Sequence, residues 1–486
     1  MRFSILHLSD LHRDLSDEVD NRNLLDSLRR DFEQYSAQEP NILQPTICIV
    51  SGDLVYGVTA NAADWTAELQ RQSDQAEEFL VGLADSLFGG RRENVVILPG
   101  NHDVAFPSVL QSVERIEIPP ELTKKEALVR ELFERGSRMR WSWSELCFYR
   151  IIDETRYEAR LSQFAKLYER FYRGSHRFSL DPQSQHDVFD FPSLLFGIIT
   201  LNSCYENDPW RRAGSFHPRA VGESCNLARD TKRLGWLMAA AWHHSLFGGP
   251  TADDYLDIEV LQLLIDAGVS IGFHGHQHMT DCVDEQYRIG PGGRKMTIVS
   301  AGTLCAGPRN LTPGVPRSYN VVELDPTALT GRVHQRQMVN RLYNLPVWGP
   351  GHFNITNAPH LDFSISKPLG SRPRGLDAQL ALDEADKLVG AGRWADAIDL
   401  LAPLRDDPSG RPFLLRALTE LADSSKILQM LSPPRTSAEA VVVGAAVLES
   451  GTREDADLFL RSPIVEGGQD ASVNEITRRI RLRSAL

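Results

Sequence analysis

Five short apolar runs in this chain end on the same few residue types, and that pattern limits the fold more than any other feature. Arg2–Leu8 runs into Asp10-Leu-His12, Thr46–Ser51 into Gly52-Asp53, and Asn94–Leu98 into Gly100-Asn101-His102-Asp103. Leu234–Trp242 runs into His243-His244, and Val269–Phe273 into His274-Gly275-His276-Gln277-His278. Short apolar runs bounded by polar residues read as buried parallel strands. Between the first two, Leu24, Leu28, Phe32 and Tyr35 recur at helical spacing; Ala76, Phe79, Leu80, Leu83 and Leu87 do so before the third. Strand–helix–strand units predict an α/β fold with a parallel sheet and right-handed crossovers. Sites in such sheets form at the carboxyl ends of the strands. The five clusters are therefore expected on one sheet edge, although about 270 residues separate the first from the last. Further strands are predicted at Ser193–Leu201, Lys295–Ala301, Ser318–Glu323 and Arg332–Val339.

The residue types point to metal chemistry. Imidazole and carboxylate together suit manganese first, or iron, zinc, cobalt or nickel. Two cations about 3.5–4 Å apart need a bridging anion, and one aspartate offers an oxygen to each. An Asp-x-His at a strand end places both side chains on one face, because residues i and i+2 share it, and His276 and His278 have the same spacing. Singly, such clusters are common accidents; five in order, each after a predicted strand, are not. No P-loop, nucleophilic Ser or Cys arrangement or dinucleotide fingerprint competes with them. Other conspicuous residues read more plainly. His7 reads as a core histidine, Gly290-Pro-Gly-Gly293 as a hairpin turn, Asn202-Ser203 as support for the site or a turn, and His274 as lining the cleft or packing.

The ordered blocks Asp-x-His, Gly-Asp, Gly-Asn-His-Asp, His and Gly-His-x-His resemble the calcineurin-like metallophosphoesterase superfamily over about residues 1–340. The resemblance implies a four-layer α/β sandwich with two divalent metal ions. It places Asp10, His12 and His278 at the first metal, Asn101, His243 and His276 at the second, and Asp53 between them. Its pattern favours His243 over His244. It also implies in-line attack of a metal-acidified water on phosphorus, with His102 stabilising the phosphoryl oxygens or protonating the leaving oxygen, and Asp103 orienting the His102 ring. The spacing and single Gly-Asn-His-Asp block look closest to bacterial cyclic-nucleotide-type phosphodiesterases and related repair nucleases. The arginine signatures of protein phosphatases are absent, since Val-Ala-Phe follows Asp103.

Residues 124–177 stand apart. They hold 13 basic and 8 acidic residues, a local charge of +5, and 10 aromatics, whereas the chain as a whole carries −13. This stretch reads as a helical insertion, about 104–192, in a catalytic domain of residues 1–365. Arg138, Arg140, Trp141 and Trp143 are candidates to hold a substrate's phosphates and stack its bases; packing of the insertion is the competing reading. Ser366–Gly375, rich in Pro, Gly and Ser, reads as a linker. Residues 376–486 read as a small all-helical domain. Gly392-Arg-Trp394-Ala-Asp-Ala397-Ile398 with Asp407-Pro408 resembles one tetratricopeptide repeat, echoed loosely at Glu449–Ala456. That domain is expected to bind a protein partner or a second copy.

The acidic balance counts against a protein that coats nucleic acid broadly, but not against a local cleft. The longest apolar runs are far short of a membrane span, and the N-terminus lacks a signal-peptide pattern, so a cytoplasmic location and no membrane partner are expected. The leading expectation is a phosphodiesterase or nuclease acting on a nucleotide or nucleic-acid diester. The alternatives are a phosphomonoesterase, or a catalytic subunit recruited to a larger complex by the helical domain.

Overall fold

The computed structural model describes residues 2–14, 19–134, 136–248, 255–256, 258–286, 294–307, 311, 314–342, 344–353, 356–370, 376–405, 410–467 and 470–484. The chain divides into two compact units, residues 1–371 and 372–486.

The strands of the first unit are β1 (Phe3–Leu8), β2 (Ile47–Val50), β3 (Val95–Ile97), β4 (Val113–Ile116), β5 (Met139–Ser142), β6 (Cys147–Ile151), β7 (His186–Phe191) and β8 (Phe196–Leu201). They continue with β9 (Leu237–Ala241), β10 (Val269–His274), β11 (Asp281–Gln286), β12 (Lys295–Ser300), β13 (Ser318–Asp325), β14 (Thr330–Met338), β15 (Trp348–Pro350) and β16 (His360–Ser364). One sheet runs β15-β14-β13-β1-β2-β3, with β16 also paired to β14; the other runs β11-β12-β10-β9-β8-β7. Parallel strands form one end of the first sheet, β1-β2-β3, and the centre of the second, β12-β10-β9-β8. Antiparallel strands close the other edges, beyond β1 in the first sheet and on both sides of the second.

The sheets pack face to face. The Phe3 ring lies 5.0 Å from Phe196, and His7 lies 5.1 Å from Phe273. Helices α1 (Asn21–Glu33) and α2 (Trp65–Leu87) bury Leu24, Leu28, Phe79 and Leu83 in the same core. The α1 helix begins where Asp20 accepts the Asn23 N–H, an N-cap that satisfies an otherwise orphaned donor. Helices Pro218–Ala228 and Glu259–Asp266 cover the outer face of the second sheet through Ala220, Val221, Leu261 and Leu264. The result is the helix–sheet–sheet–helix sandwich that the family resemblance implies. The carboxyl ends of β1, β2 and β3 carry Asp10, Asp53 and Asn101; those of β9 and β10 carry His243 and His276. No described helix is long and apolar enough to cross a membrane.

The insertion departs from its all-helical expectation. Strands β4, β6 and β5 form a three-stranded antiparallel sheet inside it, flanked by helices Leu122–Leu132 and Ser162–Phe171. The reason is packing: Met139, Arg140, Cys147, Phe148 and Ile151 are buried across the β5–β6 hairpin. Of the expected linker, residues 366–370 are bound into the first unit, since Ser366 exchanges hydrogen bonds with Lys295 and Leu369 O accepts from Gly235. The rest, 371–375, lies outside the described residues, as do Gly290–Gly293 and Asp407-Pro408.

The second unit is helical. Its helices are Leu376–Gly390, Trp394–Leu401, Arg411–Leu421, Ser424–Leu431, Ser437–Ser450, Arg453–Leu460, Pro463–Glu466 and Ala471–Ser484. Gly392, at φ +73°, makes the turn between the first two. Val389, Ile398, Leu401, Leu414, Leu418, Val443 and Phe459 share one core. Within it Arg411, 5% exposed, forks onto Glu439 at 2.9 and 2.7 Å. Glu439→Ala should therefore strand a buried guanidinium and cost the unit about 3–5 kcal/mol. The readout is the urea midpoint of the helical signal; an unchanged midpoint contradicts the pairing.

Candidate metal centre

The loops that leave β1 and β2 stay side by side past the strand ends. Asp10 N–H donates to Gly52 O (3.1 Å), His12 N–H to Asp53 O (2.9 Å) and Arg13 N–H to Leu54 O (3.0 Å). Asp10, His12 and Asp53 are at most 2% exposed. Their backbones adopt φ of +53°, +43° and +52°, and His276 and His278 adopt +76° and +56°. L-residues rarely occupy this region, and each such residue costs of order 1–3 kcal/mol. Gly100 permits a close approach, because a Cβ there would collide with the Asp53 carboxylate.

Asp53 stands at the middle of the cluster. Its Oδ1 accepts the His102 N–H at 2.8 Å, while Oδ2 lies 3.3 Å from His243 Nε2 and 3.8 Å from His12 Nε2. On one side His12 Nε2 and His278 Nε2 face each other at 3.2 Å, with Asp10 Oδ1 3.2 Å from the latter. On the other side His243 Nε2 and His276 Nδ1 approach to 3.3 Å, each 2.9 Å from Asn101 Oδ1. Three overlapping sets, Asp10–His12–His278, His12–Asp53–His102 and Asp10–Asp53–His243, each bring one donor atom per residue within 4.8 Å of the others.

The electrostatics follow from this crowding. Burial pushes the Asp10 and Asp53 carboxyls up, yet the imidazoles of His278 and His243 outweigh it and hold both below the usual range. Burial would lower His243, but Asp53 and then Asp10 raise it to about 9. Burial, reinforced by His102, lowers His12 to about 3 despite Asp53 and Asp10.

These residues fit a pair of divalent cations. Ring nitrogens that face each other across about a hydrogen-bond length compete for one proton, and a cation between them removes the conflict. Asp10 Oδ1 is buried and accepts no hydrogen bond. His243 gives its Nδ1 to Ser51 O at 2.7 Å, which turns Nε2 toward Asp53 and Asn101, as metal-bound histidines are normally oriented by their other nitrogen.

His244 faces away, with Nδ1 2.9 Å from Ser203 Oγ and Nε2 3.4 Å from Asn207. Ser203 supports the site, because its Oγ accepts the N–H groups of both His243 and His244 at 3.1 Å. His274 packs, its ring stacked 6.1 Å from Trp242. His7 is buried with Nε2 3.0 Å from Ser51 Oγ, while its Nδ1 makes no hydrogen bond.

Two sequence expectations need correction. Asp103 does not reach the His102 ring. It accepts the N–H groups of Gly100 (2.8 Å), Leu54 (3.2 Å) and Val55 (3.3 Å), bracing the β2 loop, and burial with the Asp53 charge pushes it up to about 7 against those donors. His102 Nδ1 is instead held by Tyr56 O at 2.5 Å. Arg140 does not face a substrate. It is 4% exposed, with Nε on Asp208 Oδ2 at 2.6 Å and Nη2 on Tyr157 Oη at 3.2 Å, which ties the insertion to the loop after β8. Arg138 is exposed and paired with Glu154, Trp141 packs 4.7 Å from Phe148, and Trp143 is 81% exposed.

The match to known proteins follows the same residues. The calcineurin-like phosphoesterase family pattern matches residues 3–280, a span that contains every block from Asp10 to His278. The chain belongs to the calcineurin-like phosphoesterase family. It is a phosphoester hydrolase, and the family works with a dinuclear metal centre. Among solved structures, a dimetal phosphatase from Danio rerio is 12% identical, covering 75% of this chain and 99% of its own, with a TM-score of 0.39. The inner-membrane-complex anchor GAP50 of Plasmodium is 9% identical, covering 76% and 90%, at 0.33. A Streptococcus pneumoniae protein described as a predicted phosphoesterase is 10% identical, covering 75% and 98%, at 0.25. No curated protein sequence matches significantly.

Asp103→Asn should turn an amide N–H toward at least one of three backbone donors. A buried donor left unmet costs about 1–3 kcal/mol, so thermal stability should fall together with turnover. Wild-type melting with the variant contradicts the bracing role.

Proposed function

We propose that this phosphoesterase is a dinuclear-metal-dependent phosphodiesterase acting on a nucleotide or nucleic-acid diester. The observation that carries the dinuclear part is Asp53, whose Oδ2 stands between the two imidazole pairs, 3.8 Å from His12 of one and 3.3 Å from His243 of the other. Asp10, His12 and His278 would hold one ion and Asn101, His243 and His276 the other, with Asp53 shared. Two divalent ions held here would neutralise phosphoryl charge and supply a strong nucleophile at neutral pH.

The chain's own residues then divide the remaining work. The strained loops fix the ligands before substrate arrives, so little reorganisation is left to the reaction. His102 is half-buried, with Nδ1 committed to Tyr56 O, which leaves Nε2 as the nitrogen available to a substrate. Protonated, Nε2 gives its proton to the leaving oxygen; with its Nδ1–H anchored, the ring keeps that aim through the step. The diester reading is supported by the single Gly-Asn-His-Asp block and by the exposed Trp143 and Arg138 of the insertion. Residues 376–486 are read as an interaction module for a protein partner or a second copy.

Asp53→Asn should lower hydrolysis of bis-nitrophenyl phosphate by more than about a hundredfold, since even residues that only orient a metal ligand cost 10–100-fold. Turnover near wild type with Mn²⁺ present removes the dinuclear reading. His102→Ala should cost about 10²–10⁴ on nucleoside leaving groups, the usual range for a general acid, and far less on nitrophenol, which leaves without a proton. Equal losses on both would leave His102 an electrostatic role only.

A further inference from the structure

The turn after β2 carries a side chain that the chemistry above does not use. Its backbone is fixed on both sides. Leu54 and Val55 N–H donate to Asp103, Tyr56 N–H donates to Arg13 O at 3.2 Å, and Tyr56 O accepts from His102 Nδ1. Gly57 is clamped by one side chain of α2, donating its N–H to Gln72 Oε1 at 2.9 Å and accepting from Gln72 Nε2 at 3.1 Å. The chain crosses His102 so closely here that a Cβ on Gly57, at φ +85°, would stand 2.8 Å from the His102 carbonyl.

On this fixed turn Leu54 and Val55 are buried, yet Tyr56 is 45% exposed. Its ring centre lies 6.1 Å from that of His102 and 6.3 Å from that of His12. Its hydroxyl makes no hydrogen bond among the described residues. An aromatic ring held by a rigid backbone loses little freedom when a ligand covers it, which makes it a preorganised contact.

We infer that Tyr56 stacks the base of a nucleoside leaving group, so that the substrates of this site are diesters with a nucleobase on the leaving side. This rests on the phosphodiesterase reading above. The leaving side is selected by geometry. The residue whose carbonyl aims His102 also bears the ring, so the proton donor and the platform are fixed to each other. A leaving nucleoside places its base one sugar ring from the oxygen that is protonated, and Tyr56 stands one ring's reach from His102. A base has a π-face whatever its identity, so the contact selects nucleosides without selecting sequence.

The test uses the full chain with Mn²⁺ and two dinucleotides that differ only in the leaving residue, one thymidine and one an abasic tetrahydrofuran. Bis-nitrophenyl phosphate serves as the control for diester hydrolysis. Wild-type kcat/KM should favour the base-bearing compound by about tenfold or more, the scale of base–aromatic stacking. Tyr56→Ala should bring that ratio close to one, and Tyr56→Phe and Tyr56→Trp should preserve it. A structural fault would lower both substrates together and leave the ratio standing, which overturns the assignment. So does a wild-type ratio near one, or a Tyr56→Phe ratio as low as that of Tyr56→Ala, which would put the hydroxyl in place of the ring. If bis-nitrophenyl phosphate is cleaved and the ratio is one, Tyr56 alone is wrong. If it is not cleaved at all, the phosphodiesterase reading falls and takes this inference with it.

Discussion

Past the ends of β1 and β2 the backbone keeps the parallel pairing of the sheet, from Ser51 N–H on Leu8 O through Arg13 N–H on Leu54 O. The rest of the site depends on that pairing. It carries Asp10, His12 and Asp53 into a dry interior while every backbone donor named above finds an acceptor, as buried amides require. Loops left to solvent could not hold two carboxylates and an imidazole at nearly zero exposure. Asp103 extends the brace to the β3 end, and Ser203 does the same for the β9 end by meeting two successive N–H groups.

The cost of this arrangement is visible in the backbone. Five of the eleven described non-glycine residues at positive φ are candidate ligands. Strain of order 1–3 kcal/mol at each persists only where the surroundings over-determine the conformation. Here those surroundings are the two packed sheets and the inter-loop hydrogen bonds. The like-charged and facing groups add to the cost, and divalent cations would turn that repulsion into binding energy. Folding and metal loading are then coupled, because the same contacts that strain the loops preorganise the ligands.

The convergence of these residues was legible because each cluster follows an apolar run, while the ligand roles came from the family resemblance. Asp10, Asp53, Asn101, His243 and His276 meet for that reason alone. What could not be read is what needs depth or direction. Arg140 looks like a surface cation in sequence, and only the contacts of Asp208 and Tyr157 show it buried. Asp103 sits next to His102 in sequence, but the short helical turn 101–103 points the two side chains apart. The insertion read as helical because the alternation over β5 and β6 is only four or five residues long on each strand, too short to separate from helix by period. The edge strands β7, β11, β15 and β16 were missed because half-exposed edges lack a continuous apolar run. Tyr56 carries no motif. The nearest sequence clue was an aromatic between the Gly-Asp block and a glycine, in a stretch where its neighbours are aliphatic.

The central claim is that these side chains form one centre for two ions. The most direct measurement is elemental analysis of the purified full chain after saturation with Mn²⁺ and removal of loose metal. Close to two tightly held ions per chain, both lost to a chelator, is the predicted result. A single ion at saturation, or none, contradicts it.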